Sequence, residues 1–242
     1  MNVHSASDAH RDIDVLHEIG ERIAAAGPLS TVLKLVVEFV SAVVKCDSCF
    51  VYVREADELI LRASQNPHAE VVDRLKLRMG EGITGWVAEH KKPVAITSGA
   101  LLDPRFQLFR ELPEDRFEAF LSVPILCRDQ LVGVINLQHR EAHGHSQREI
   151  NLVSTIGFLV GPEIESARLE TESGRFAELA GARKLVETVQ RILQRNLGIS
   201  EEGAYLLLQK ESRQRRKSMK EIAEAILIAE EITHGQTRQA SS

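Results

Sequence analysis

The stretch Gly80-Glu81-Gly82-Ile83-Thr84-Gly85-Trp86-Val87-Ala88, with Phe120-Leu121-Ser122-Val123-Pro124-Ile125-Leu126-Cys127 and Leu131-Val132-Gly133-Val134-Ile135-Asn136-Leu137 behind it, decides the fold of most of this chain. The two apolar runs flank Asp129-Gln130 and read as an antiparallel hairpin. Working outward, Cys49-Phe50-Val51-Tyr52-Val53 has the period of two of a strand, and Ala56-Asp57 turns it into Leu59-Ile60-Leu61-Arg62-Ala63. Further upstream the period lengthens. Ile13, Leu16, Ile19, Gly20 and Ile23 lie at helical spacing up to Gly27-Pro28, and Val32, Leu33, Val36, Val37, Val40, Val43 and Val44 form a second apolar face. Two helices, several antiparallel strands and a closing helix predict an α+β domain over residues 10–165, one sheet with helices packed on it.

The composition, 43% hydrophobic and 27% charged over 242 residues, is that of a globular protein. No apolar run is long enough for a membrane helix, and Met1 to Asp8 carry no basic-then-apolar leader pattern. Three cysteines cannot staple a chain of this size, so a reducing, cytoplasmic setting is expected. Residues 1–8 and 235–242 show no apolar pattern and are expected to lack order. The net charge of −5 is uneven: residues 183–220 hold ten basic and four acidic side chains, a local +6, which leaves −11 for the remainder. An acidic body carrying a basic C-terminal module implies a polyanionic partner for that module.

The glycine-rich stretch, Pro93-Val94-Ala95-Ile96, Asp103-Pro104-Arg105-Phe106, Ser122-Val123-Pro124-Ile125 and Leu131 to Leu137 together resemble a GAF domain, in the order that family uses. The resemblance implies a sensory or dimerising domain with an antiparallel sheet of about six strands and a small-molecule pocket on one side. The Asn-Lys-x-x-Phe-x-x-x-Asp-Glu pattern of members that bind cyclic nucleotides is absent, and the ligand stays unknown. Gly80 to Gly85 lacks the Lys-Ser/Thr ending of a phosphate loop and reads as a turn. Cys46 and Cys49 have no second ligand pair at zinc-finger spacing, so they read as small buried hydrophobes. Some GAF proteins reduce free methionine sulfoxide with cysteines, but the segments around Cys46, Cys49 and Cys127 do not match that enzyme's. His139, His143 and His145 fall in a loop where solvated histidines are common; no metal and no cofactor is expected.

From Ser146 a seven-residue repeat runs through Ile150, Val153, Gly157, Val160, Ile164 and Ala167, either a dimeric coiled-coil seam or the cover of the sheet. Thr171 and Gly174 would continue it poorly. The connector, residues 146–180, is therefore expected to hinge or stutter at Glu172-Ser173-Gly174, with a plain exposed linker as the alternative.

Residues 175–232 read as three short helices. Leu179, Leu185, Val186, Val189, Ile192 and Leu193 form the first stripe, closed by Gly198; Ser200 caps a second helix with Ala204, Leu207 and Leu208 on its face. Ser218-Met219-Lys220-Glu221 has capping-box spacing and opens the third, which exposes Arg213-Gln214-Arg215-Arg216-Lys217 in the preceding turn. Such a cluster binds phosphates with steep salt dependence, though a basic run is also an ordinary solvated turn. Tyr205 could stack on an unpaired base, but its spacing from Ala204 and Leu208 favours at least partial burial.

Arg183-Lys184-Leu185-Val186-Glu187, Ile192-Leu193, Gly198 to Tyr205, Leu208, Ser212 and Arg216 to Ala223 resemble an ANTAR domain, a three-helix module that binds RNA hairpins in nascent transcripts and prevents terminator formation. The resemblance and the charge pattern together nominate Arg183, Lys184, Arg191, Arg195, Tyr205, Lys210, Arg213, Arg215, Arg216, Lys217 and Lys220 as RNA-binding residues. The chain departs from the family at Gln190, where Lys is frequent, at Arg191, where Gly is, and at Ser218. The resulting expectation is a homodimeric, non-enzymatic antitermination regulator with paired RNA hairpins as partner, under a GAF sensor of an unidentified small molecule. A sensory adaptor that dimerises without binding RNA is the alternative.

Overall fold

The computed structural model describes residues 3–65, 71–106 and 116–239, with side chains from residue 12 to residue 232 of these stretches. The chain divides into two compact units, residues 1–168 and 169–242.

The first unit is built on a six-stranded antiparallel sheet in the order β3-β2-β1-β6-β5-β4. Its strands are β1 (Ser48–Glu55), β2 (Glu58–Gln65), β3 (Lys76–Arg78), β4 (Val94–Ile96), β5 (Ala119–Cys127) and β6 (Gln130–His139). Helices α1 (Val3–Ala25), α2 (Leu29–Val44) and the beginning of α4 (Gln147–Leu197) cover one face, and α3 (Gly82–His90) lies on the other. The period of two in β1 explains both cores at once. Cys49, Val51 and Val53 face α2 and α4, whereas Phe50 and Tyr52 join Ile83 and Val87 of α3 on the opposite side. The β5–β6 turn falls on Arg128-Asp129, one residue before the expected pair: both adopt positive φ (48° and 63°), as a two-residue hairpin turn of matching twist requires.

The heptad residues Val153, Val160 and Ile164 are buried against the sheet with Ile156, so within this unit the repeat is the cover of the sheet. Gly161 makes that fit possible, since a Cβ there would stand 2.4 Å from the carbonyl oxygen of Leu126. A polar bridge pins the other face. Ser122 Oγ donates to Asn136 Oδ1 (2.7 Å) and Asn136 Nδ2 donates to Thr84 Oγ1 (2.7 Å), all three buried, which ties β5, β6 and α3 together inside an apolar layer. Gly80 and Gly82 take left-handed φ, and Glu81 accepts from the Arg78 amide at the start of α3, an acidic feature unsuited to holding a phosphate. Cys49 is fully buried and Cys46 half-buried.

Two sequence expectations are corrected here. Glu172-Ser173-Gly174 lies inside α4 without a break, so there is no hinge there, although a stutter within one continuous helix is compatible with it; an exposed helical glycine costs only about 1 kcal/mol relative to alanine. Helical backbone also reaches back to Val3 and forward to Gln239, since extending a helix that has already formed is far easier than starting one. Residues 1, 2 and 240–242 lie outside the described residues.

Candidate nucleic-acid interface

The second unit consists of the end of α4, α5 (Glu201–Arg215) and α6 (Met219–Gln239). Val189, Leu208, Ile222 and Ala223 form its small core, with Leu185, Val186, Leu193, Met219, Ile226 and Leu227 packed round it. Both caps read from the sequence are formed. The Gly203 amide donates to Ser200 Oγ (3.1 Å), and Glu221 Oε2 accepts from the Ser218 amide (2.8 Å) and hydroxyl (2.9 Å) while the Glu221 amide donates back to Ser218 Oγ. Those hydrogen bonds hold the Glu221 carboxyl below the usual carboxylate range. Between the caps, Arg216 closes α5 in a left-handed conformation (φ 53°), and the Lys217 amide donates to the Ser212 carbonyl (3.1 Å). The turn carrying Arg213, Arg215, Arg216 and Lys217 is thus fixed by backbone hydrogen bonds, and all four side chains are exposed.

The ten basic candidates are all exposed, but they differ in what holds them. Arg183 meets Glu187 (3.0 Å), Arg215 meets Glu211 (2.8 Å), Lys220 lies 3.9 Å from Glu224, and Arg195 reaches across to Glu230 on α6 (2.7 Å). Arg191 donates to the Glu187 carbonyl and to Thr188 Oγ1. Among the described residues Lys184, Lys210, Arg213, Arg216 and Lys217 have no carboxylate within ion-pair distance, which leaves their charges for a ligand.

Three of the candidates come together. Arg183 of α4, Tyr205 of α5 and Lys220 of α6 line a groove of about 330 Å³ with Ala182, Val186, Gln190 and Met219, and Glu187, the ion-pair partner of Arg183, lines it too, so a ligand phosphate would have to displace that carboxylate from the arginine. Tyr205 is 43% exposed, so its ring faces the groove rather than the core. Gln190 is nearly buried beside it, which puts an uncharged amide in the wall. The groove also meets the first turn of α6 at Met219 and Lys220, where the Ser218–Glu221 cap already takes the Glu221 amide. The basic turn adjoins it in sequence. Aromatic face and cations in one place suit a base next to its phosphate. Val186, Ala182 and Met219 were missed as groove residues, because their spacing is indistinguishable from that of core positions.

In the first unit the histidines depart from expectation. His139 is 95% buried as the last residue of β6, and His143 and His145 fold back onto it instead of standing in solvent. Burial pushes His139 below its ordinary pKa and His145 down to about 4. Asp103 and Arg105 form a two-pronged ion pair (2.9 and 2.8 Å), with the guanidinium 4.9 Å from the ring centre of Trp86. No helix among the described residues is long and apolar enough to cross a membrane.

Comparison with known proteins agrees with this division. The family model for the GAF domain matches residues 28–164, and that for the ANTAR domain matches residues 178–227. A phosphoenolpyruvate-dependent phosphotransferase system protein of Escherichia coli K12 is 28% identical over 168 residues; the match takes in 67% of this chain and 22% of that protein. The chain thus spans under a quarter of the curated relatives it matches, and shares with them the GAF region. The GAF domain of a phosphoenolpyruvate-protein phosphotransferase from Coxiella burnetii superposes with a TM-score of 0.63 at 29% identity, covering 68% of this chain and 98% of that one. A free methionine-R-sulfoxide reductase of Neisseria meningitidis shares the fold alone, with a TM-score of 0.57 at 15% identity over 67% of this chain and 93% of its own. Both matched domains are regulatory rather than catalytic, and the chain belongs to the GAF-domain family, with an ANTAR domain following the GAF domain.

Proposed function

We propose that this protein is a signal-responsive antitermination regulator: its GAF domain receives a signal and its ANTAR domain binds RNA hairpins. The observation that carries the reading is the groove where Arg183, Tyr205 and Lys220 meet at the N-terminus of α6, beside the fixed basic turn of Arg213, Arg215, Arg216 and Lys217. The cations bind hairpin phosphates; Tyr205 stacks on a loop base. Lys184, Arg191, Arg195 and Lys210 widen the positive field that draws RNA in.

A homodimer is part of the proposal. Leu169 and Phe176, seven residues apart on α4, are 51% and 70% exposed, and Leu179, three further on, is 68% exposed. That spacing is a coiled-coil seam at which a second copy would bury apolar surface, and two ANTAR domains held together would engage paired hairpins with raised effective affinity. The ligand of the GAF domain is taken to be a small molecule, and the cytoplasm is the compartment where nascent RNA is met.

The test is hairpin binding by Tyr205→Ala and by the variant with Arg213, Arg215, Arg216 and Lys217 changed to Gln. Tyr205→Ala is expected to weaken binding to a hairpin with an unpaired loop by roughly tenfold, a stacking contribution of about 1–3 kcal/mol, and to leave binding to a blunt duplex unchanged. The quadruple variant should lose affinity for both RNAs while its oligomeric state persists. Unchanged hairpin affinity in both variants would overturn the assignment of this groove and turn, and an unaltered chain with no hairpin affinity would overturn the reading in favour of an adaptor without RNA.

A further inference from the structure

We propose that His139, His143 and His145 form a binding site for a divalent transition-metal ion of the zinc class, with Glu149 as the fourth ligand. The ligand atoms of the three imidazoles all lie within 4.8 Å of one another. His139 Nε2, His143 Nε2 and both ring nitrogens of His145 are buried from solvent with no hydrogen-bond partner. Unsatisfied buried polar atoms are uncommon, and three neighbouring neutral imidazoles, each with one ring nitrogen able to present a lone pair, make a donor set that one metal ion would satisfy. Glu149 Oε1 stands 3.6 Å from His143 Nε2, while its other oxygen accepts from Ser146 and so holds the carboxylate in place.

The supports around the cluster are already built. The Glu118 amide donates to the His139 carbonyl (2.9 Å), Asp47 Oδ2 accepts from the Arg140 amide (2.8 Å), and the His143 amide donates to the Thr97 carbonyl (2.9 Å). The loop is thereby clamped to three neighbouring segments, which lowers the ordering cost of binding. Tetrahedral zinc, at about 2.0–2.1 Å from each imidazole nitrogen, needs nitrogens about 3.3 Å apart. The rings of His139 and His143 are stacked at 4.0 Å with planes 8° apart, so ligation rotates them out of the stack to point their lone pairs at one ion. Three imidazoles and one carboxylate suit zinc, cobalt or nickel and are a poor match for calcium or magnesium. The ion would join the end of β6 to the first turn of α4, whose Ser146–Glu149 cap lies within the site, and would make metal supply an input to the helix that leaves the domain.

Cobalt(II) is the probe, added to the full-length chain. One equivalent is expected to give the intense visible absorption of a tetrahedral ion, to be displaced by zinc, and to raise the thermal midpoint of the protein. His143→Ala and His145→Ala each should lose the spectrum and the midpoint shift. These are preferred to a change at His139, whose burial at the end of β6 ties it to the stability of the sheet, and circular dichroism verifies that they are folded. Replacing Cys46 and Cys49 by Ser should leave the spectrum intact. A spectrum that stays that of the aqueous ion, or one abolished by the cysteine changes and untouched by the histidine changes, would overturn the proposal.

Discussion

Alanine at two glycines of the same helix should have opposite effects, because one glycine touches a strand and the other touches nothing. At Gly161 the added Cβ would sit 2.4 Å from the Leu126 carbonyl oxygen and 3.0 Å from its carbon, both backbone atoms that cannot swing aside. Restoring ordinary contact requires α4 to retreat by about 1 Å, and a gap of that size forfeits a quarter to a half of each dispersion contact made across it. The losses fall on Ile156, Val160 and Ile164, which are 0–2% exposed against the sheet. Overpacking of this kind costs about 1–3 kcal/mol, offset by roughly 1 kcal/mol of better helix propensity. Gly161→Ala should therefore destabilise the domain by up to about 2 kcal/mol, a fall of about 1 M in the urea midpoint. Trp86, the single tryptophan of the chain, stands on α3 across the sheet and reports unfolding of this domain by its fluorescence. At Gly174 nothing lies within 4 Å of the added Cβ, and Gly174→Ala should stabilise its helix by about 1 kcal/mol, read by circular dichroism. If Gly161→Ala raised the urea midpoint as well, the close seating of α4 on β5 would be refuted.

Further expectations concern single contacts. Asn136→Ala strands the buried hydroxyls of Thr84 and Ser122 and should cost roughly 2–3 kcal/mol in the Trp86-monitored transition; a loss below 0.5 kcal/mol, on the order of a surface change, would contradict the bridge. Arg148 holds the Asp12 carboxyl below its ordinary value, chiefly by hydrogen bonds at 2.7 Å. A depressed carboxylate contributes stability that is fully present above the unfolded value of about 3.9 and is lost as pH falls through the lower folded value. Asp12→Ala should thus cost under about 1 kcal/mol at pH 7, the pair being on the surface, and progressively less as pH falls below about 3.9 in urea titrations. An undiminished difference at pH 2 would contradict that assignment. Ser218→Ala removes the cap of α6 and should lower stability by about 1 kcal/mol in thermal melts of helical ellipticity, where no change would mean that the cap is idle.

The strands and caps were legible in the sequence because their signals are local. Alternation in Cys49 to Val53 names both faces of the sheet, and Ser218 with Glu221 three positions later names a helix start. What the sequence concealed depends on places where distant segments meet. The heptad of Ile150 to Ala167 is the same pattern whether a sheet or a second helix covers it, and only the approach of Leu126 to Gly161 decides between them. Likewise, His143 and His145 look like loop residues until the pairing of β6 with β5 buries His139 and the amide of His143 is found on Thr97. For the candidate interface, the basic turn could be read from charge alone, whereas the groove required Ala182, Val186 and Met219 to line up across two helices.

The most direct test of the central claim is the affinity of the full chain for a two-hairpin RNA against a single hairpin and a scrambled duplex of equal length, titrated across salt concentrations. The account predicts tight binding selective for paired hairpins, falling steeply with salt, with a log–log slope shallower by roughly 3 when Arg213, Arg215, Arg216 and Lys217 are neutralised. Weak binding that is indifferent to RNA structure and unchanged by that neutralisation would contradict it.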